Sequence, residues 1–326
     1  MTTVYFATNR NRTNPSNPIR FGENFSTVDL GDLRFGQAEV TNGELDENSV
    51  RVLPDNPSQG SQALFAQLRQ AMREQSLDSL IVIHGFNVTF QKAVESAANM
   101  SDRYAQLSGG IYRPNIFVFS WPSNGELFEY KDDRHDAKAS GYAFARGLEK
   151  LAGFLRNVEN GEPCQQCINL IAHSMGNYVL RHALQEIQKI SDSRLMPRIF
   201  DNIILAAADE DNDAFEYEHK LARLPELAKH ITVYFNTEDQ ALTISDITKG
   251  NPDRLGHSGP QKPHQLPYKV VLVDVSMGVS MFGEHSYHVD DDEVVRDILA
   301  VLQGQNLDTF TLRTYVAHAN KFVLSQ

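Results

Sequence analysis

Two strand-ending stretches of this chain hold residue types that could do chemistry together. In residues 168–177 (INLIAHSMGN) an apolar run ends at Ser174, with the small residues Ala172 and Gly176 on either side. In residues 80–87 (LIVIHGFN) a second apolar run ends at His84-Gly85. A serine hydroxyl is a weak nucleophile near neutral pH, so it needs a base within hydrogen-bond reach and a third group to orient that base. It must also be exposed. A sharp turn from strand to helix lifts it above the sheet edge and aims the following N–H, here that of Met175, at the reacting oxygen. Gly85 permits close backbone approach, so the N–H of Phe86 can serve as a second donor to the same oxygen, with Asn87 beside it as a substrate-binding candidate. Alone, small-x-Ser-x-Gly equally describes a serine that ends a strand and caps the next helix. The flanking strand and amphipathic helix favour the nucleophile.

The elements needed to position these residues follow from the apolar pattern. Short runs rich in β-branched and aromatic residues occur at 80–83 (LIVI), 116–119 (IFVF), 168–172, 203–207 (IILAA), 231–235 (ITVYF) and 270–273 (VVLV). Each reads as a buried strand. Between them apolar residues recur at helical spacing: Leu64, Leu68 and Met72; Leu148, Leu151 and Leu155; Val179, Leu180, Ala183, Leu184 and Ile187. The alternation predicts an α/β fold, a mostly parallel twisted sheet with helices on both faces. Residues 4–7 and 33–40, within an irregular first sixty residues, read as strands extending the sheet. A last helix carries Val294, Val295, Ile298, Leu299 and Leu302, and the acidic run 290–293 (DDDE) at its start suits a helix N-terminus better than a metal. No linker, repeat or low-complexity tract divides residues 1–326, so one domain is expected. Residues 121–136 and 249–267 read as long irregular loops, candidate lids or binding loops.

Composition narrows the partners. With 326 residues and 41% hydrophobic content the chain can bury a substantial core. A formal charge of −12 and a pI near 5.4 disfavour nucleic acid or an anionic membrane surface. The opening MTTVYFATNRNRTNPSNP has no basic start followed by an apolar core, and no window approaches membrane-span length. A soluble, cytoplasmic protein acting on a small molecule is expected, without stable membrane insertion. Its oligomeric state is not legible. The two cysteines, Cys164 and Cys167, form a lone C-x-x-C that could be half a zinc site or a redox pair. With no second pair and no thioredoxin-like arrangement after it, an ordinary turn with two unremarkable thiols is the simpler reading.

LIVIHGFN, IFVFSWPSNG and INLIAHSMGN resemble the successive strand-end motifs of the alpha/beta-hydrolase superfamily, and most of all a bacterial branch of esterase/lipase type long grouped as a domain of unknown function. The resemblance runs from VYFATNR to the EHSYH segment near residue 287. Ala172 departs from the glycine more usual at that place. The resemblance implies an alpha/beta-hydrolase fold and the chain order nucleophile, acid, histidine. Strand positions then single out Asp239, after ITVYF, and His285, after VVLVDV. Asp209, after the preceding strand, is the alternative acid, and Glu238 is the neighbour of the first choice. His257 and His288 are rivals to His285. His84 and His173 are expected to shape the oxyanion loop and the elbow rather than transfer protons. Trp121, the only tryptophan, either lines an acyl or alcohol pocket or packs beneath the loop.

These parts imply a serine hydrolase, a carboxylesterase- or lipase-like enzyme that cleaves a small ester through a Ser174-His285-Asp239 triad and an acyl-enzyme, with no metal and no cofactor. An acyltransferase would use the same residues and admit a different acceptor. A catalytically silent scaffold of the same fold is the non-enzymatic alternative.

Overall fold

The computed structural model describes residues 1–13, 21–26, 33–53, 59–123, 130–156, 165–190, 196–242, 253–277, 285–305 and 312–324. Along the chain run β1 (Thr2–Thr8), β2 (Arg10–Arg12), β3 (Phe21–Phe25), β4 (Arg34–Thr41), β5 (Glu44–Val52), α1 (Gln59–Gln75), β6 (Ser79–Ile83), α2 (Phe90–Leu107) and β7 (Asn115–Ser120). Then follow α3 (Tyr130–Arg156), β8 (Ile168–His173), α4 (Gly176–Ile190), β9 (Phe200–Ala206), β10 (Ala228–Phe235), α5 (Leu255–Ser258) and β11 (Val270–Asp274). The chain closes with α6 (Tyr287–Asp290), α7 (Asp292–Leu302), β12 (Arg313–Val316) and β13 (Lys321–Leu324).

Eleven of these strands form one sheet in the order β12-β13-β11-β10-β9-β8-β6-β7-β1-β4-β5. From β13 to β1 every neighbouring pair is parallel; β12 at one edge and β4 and β5 at the other pair antiparallel. The central strands are buried on both faces, which is why they read as continuous apolar runs. Their side chains still alternate: Ile81, Ile83, Leu170, Ala172, Ile203 and Leu205 point into a core with α1, α3 and α4. Leu80, Val82, Ile171, Ile204 and Ala206 point the other way, into a core with α2 and α7. Each fully buried Leu or Ile contributes about 1.5–3 kcal/mol relative to leaving it exposed. Among the described residues no helix is long and apolar enough to cross a membrane.

The order of strands places the site. After β6 the chain adds β7 on one side, then returns to add β8 on the other, so the loops leaving β6 and β8 diverge from adjacent strands. A crevice opens at such a switch point.

The six central strands and the helices of α1, α4 and α7 lie where the apolar pattern puts them, and Asp291 caps α7 by accepting from the N–H of Glu293 and Val294. Three expectations need correction. Residues 130–136 are not loop but the opening turns of α3, where Asp132 and Asp133 complement the helix N-terminus. The buried stripe of that helix continues through Phe154, leaving Leu155 exposed. In the second long stretch, residues 254–256 are packed against the sheet rather than lid-like, while 261, 262, 264 and 265 are exposed. Leu255 N–H donates to Glu210 O and Gly256 N–H to Ala208 O, and an added Cβ on Gly256 would lie 2.1 Å from Ala208 N. Residues 249–252 and 124–129 lie outside the described residues, as does Cys164.

Candidate active site

Ser174 sits between β8 and α4 with φ of 52°, a left-handed conformation that a non-glycine residue adopts only where its surroundings enforce it. The enforcement is visible. Ser174 N–H donates to Ala206 O on β9, Asp209 N–H donates to Ser174 O, and the Asn177 amide donates to the carbonyls of Ala172 and Ser174. Small neighbours are required for steric reasons. A Cβ on Gly176 would fall 2.5 Å from Ile83 O and 2.7 Å from His84 O, and one on Gly85 would fall 2.9 Å from Ser174 Cβ. Gly176→Ala is therefore expected to destabilise the fold by about 1–3 kcal/mol, because the clash is with backbone and no rotamer relieves it. Chemical denaturation of the variant checks this.

The loop after β6 meets this turn. His84 is buried, its Nδ1 lies 2.8 Å from Gly85 O, and its Nε2 accepts from the Trp121 N–H at 3.2 Å. Since an N–H points at Nε2, the ring proton resides on Nδ1 and is donated to Gly85 O. Burial, and secondarily the charge of Arg10, hold the His84 pKa down at about 3. The N–H groups of Phe86 and Met175 donate to no acceptor among the described residues.

Ser174, His285 and the 84–88 loop border one cavity of about 1480 Å³. His285 Nδ1 is 2.8 Å from Asp239 Oδ2. Asp239 is wholly buried, and its other oxygen accepts from Leu242 N–H at 3.1 Å. Because a carboxylate only accepts, Nδ1 carries a proton and donates it to Asp239, which makes Nε2 the ring nitrogen available for proton exchange. Three contacts fix the segment that carries His285. His173 Nε2 donates to His285 O at 2.9 Å, Tyr104 donates to His288 O at 3.0 Å, and the buried Tyr287 hydroxyl accepts from Ala207 N–H and donates to Tyr234 O. No Ser174–His285 hydrogen bond is formed among the described residues, so proton transfer requires the two side chains to close to hydrogen-bond distance.

A family model for an alpha/beta hydrolase of unknown function (DUF900) matches residues 61–302, well over half of the chain. The chain belongs to this alpha/beta-hydrolase family. An uncharacterised protein of Nostoc sp. (strain PCC 7120), alr1448, is 28% identical over 139 residues, a match covering 36% of this chain and 33% of the relative. The chain thus spans about a third of that relative's length.

Within the alpha/beta hydrolase the rival residues have other occupations. Asp209 borders the cavity but is 2% exposed and engaged by Arg254 at 3.3 Å, by Arg134 at 3.8 Å and by the Tyr130 hydroxyl. Glu238, adjacent to Asp239, points to solvent. His257 is half-buried against Thr237 O at 2.9 Å and does not line the cavity. His288 lines it, yet is buried with its pKa pushed down to about 3, first by burial and then by His285. His173 is likewise driven well below the ordinary range, by burial and then by His288 and His285.

Asn87 lines the cavity with φ of 60°. Of the two readings of Trp121, the substrate-binding one is set aside: the side chain is fully buried, stacks on the His84 ring at 5.2 Å and donates from Nε1 to His84 O, so it packs beneath the loop and does not border the cavity. Cys167 is half-buried and its thiol is pushed up to about 11 by burial and then by Asp78, which keeps it protonated and a poor ligand or nucleophile. The contributions of Tyr287, Tyr104 and Arg10 were not legible in sequence. A tyrosine hydroxyl or arginine that holds backbone across 50 to 180 residues carries no local pattern.

Proposed function

We propose that the protein hydrolyses carboxylic esters of small molecules through a covalent acyl-enzyme on Ser174. The observation that carries this reading is the 2.8 Å pairing of His285 Nδ1 with the buried Asp239 carboxylate on the cavity that also holds Ser174 at its strained turn. His285 Nε2 takes the Ser174 Oγ proton as Oγ bonds to the ester carbonyl carbon. The carbonyl oxygen becomes an oxyanion and accepts from the Phe86 and Met175 N–H groups. The imidazolium, steadied by Asp239, returns its proton to the departing alcohol as the C–O bond breaks. Water, deprotonated by the same nitrogen, then attacks the acyl carbon and releases the acid and Ser174. The cavity supports a small-molecule substrate by its size and by the mixture of apolar and polar side chains around it.

Rates on a series of p-nitrophenyl esters of increasing acyl length, with labelling by a fluorophosphonate probe, test the reading. Turnover and stoichiometric labelling of Ser174 support it, and absence of both overturns it. The pH dependence gives a second check. The base must be neutral, so kcat/KM should rise with pH along an acid limb of unit slope. His84 and His288 are held at about 3, so both remain neutral above pH 5, and burial with the neighbouring His288 and His285 moves His173 in the same direction. A limb of slope two would mean that a second cavity histidine titrates with activity.

A further inference from the structure

Arg10 is fully buried, and its guanidinium is spent on backbone and hydroxyl oxygens. Nε donates to Ser120 Oγ at 2.9 Å, Nη1 to Gly22 O at 3.0 Å and to Ser123 O at 3.5 Å, and Nη2 to Val88 O at 2.6 Å. Burying an arginine away from water is costly unless its donors are satisfied, so so complete a set of acceptors marks a fixed junction. The junction joins the β2–β3 hairpin, the end of β7 and the loop that leaves β6. Val88 is the residue at which that loop ends, two positions beyond Phe86 and directly after Asn87 with its left-handed φ. Its N–H is held as well, donating to Ser123 Oγ at 3.3 Å, and Ser123 Oγ in turn donates to the buried Asp133. The other end of the loop is held through His84, whose ring donates to Gly85 O. That carbonyl belongs to the same peptide unit as the Phe86 N–H.

We propose that Arg10, which lies outside the residues matched by the family model, is a positioning residue for the Phe86 N–H: it clamps the far end of the 84–88 loop so that this amide faces Ser174. The proposal rests on the ester-hydrolase reading for its catalytic consequence and on the loop geometry for its structural one. Two effects of Arg10 converge on one peptide. The bond to Val88 O fixes where the loop ends. The guanidinium charge, acting with burial, disfavours protonation of His84, whose bare Nε2 must accept from Trp121 N–H while its Nδ1–H holds Gly85 O. A hydrogen bond accepted by that carbonyl also polarises the peptide and strengthens its N–H as a donor. Asp133, wholly buried, supplies the compensating charge.

The test uses Arg10→Met, which keeps an apolar stem and removes charge and donors, with Ser123→Ala as a second variant that releases the Val88 N–H instead. Amide hydrogen exchange read peptide by peptide, kcat and KM on a short p-nitrophenyl ester, and the rate of fluorophosphonate labelling are compared with the parent. The expected result is faster exchange confined to residues 84–89 and a fall in kcat of about 10- to 100-fold with KM within about threefold, matched by slower labelling. If Arg10→Met does not fold, Ser123→Ala should show the same pattern at smaller size. Unchanged exchange at 84–89 in a folded variant, or a loss carried by KM alone, overturns the proposal. Local loosening in the variants, beside a parent that neither turns over esters nor labels, would leave the clamp standing and overturn the hydrolase reading.

Discussion

Ser174→Ala is expected to lower kcat on any ester substrate by about 10³-fold or more, with the melting temperature unchanged or raised. The loss follows from removing the only atom that bonds to the acyl group; what remains is the contribution of the Phe86 and Met175 N–H groups and of binding. The stability follows from the conformation. Alanine costs less side-chain burial than serine at a site that is 6% exposed, and the φ of 52° is already imposed by Ala206, Asp209 and Asn177 rather than by the hydroxyl. Purified variant, assayed beside a parent preparation whose residual activity is titrated out by fluorophosphonate, gives the comparison. Activity within tenfold of the parent would remove Ser174 from the mechanism.

Asp239→Asn is expected to cost about 10⁴-fold in kcat, because an amide in place of the carboxylate favours the wrong tautomer of His285 and leaves its Nε2 protonated. Asp209→Asn should behave differently. Its carboxylate faces Arg254, which is 1% exposed, together with Arg134 and Tyr130, and not the imidazole. The deficit should therefore appear in stability, up to about 3–5 kcal/mol for a buried ion pair that loses one partner, less the share that Asp211 retains on Arg254 at 2.6 Å. Urea melts and steady-state rates on the two variants separate the outcomes. If Asp209→Asn is the slower enzyme and the more stable protein, the orienting acid is Asp209.

How much of this arrangement was legible in the sequence depended on how each residue is constrained. The six central strands were, because burial on both faces demands unbroken β-branched and aromatic runs. The elbow was, because its geometry leaves no room for a side chain at 176 and a small residue stands at 172. The pairing of Asp239 with His285 was anticipated only through the chain order that the family resemblance implies. Helix α2 was not read, although it packs a whole face: beside Phe90, Val94, Met100 and Tyr104 its buried positions are Ala93, Ala97, Ala98, Ser101 and Ala105, and alanine and serine give little apolar contrast. The edge strands β5 and β12 were missed because edge strands are half exposed and bury too few apolar residues to show a period. Trp121 could be read either way from sequence, since a tryptophan after a strand end is apolar in both settings. Arg10 sits in an Asn- and Arg-rich stretch that looks like loop, and only the tertiary structure brings its donors to Val88.

Strand order also bears on when, during synthesis, the site can exist. β6 reaches its full set of neighbours only after β8 has emerged, and β1 waits for β7, more than a hundred residues later. His285 comes later still, and the three contacts that seat its segment draw on residues made long before: Tyr104, His173 and Tyr234. Closing such long loops is slow, and parallel pairing of this kind is among the slower events in folding. A nascent chain therefore carries Ser174 and the residues that hold its turn, Ala206 and Asp209, well before it carries His285. On the ester-hydrolase reading, the pairing of His285 with Asp239 is therefore among the last parts of the site to form, and a chain that ends before residue 285 is expected to leave Ser174 without its base.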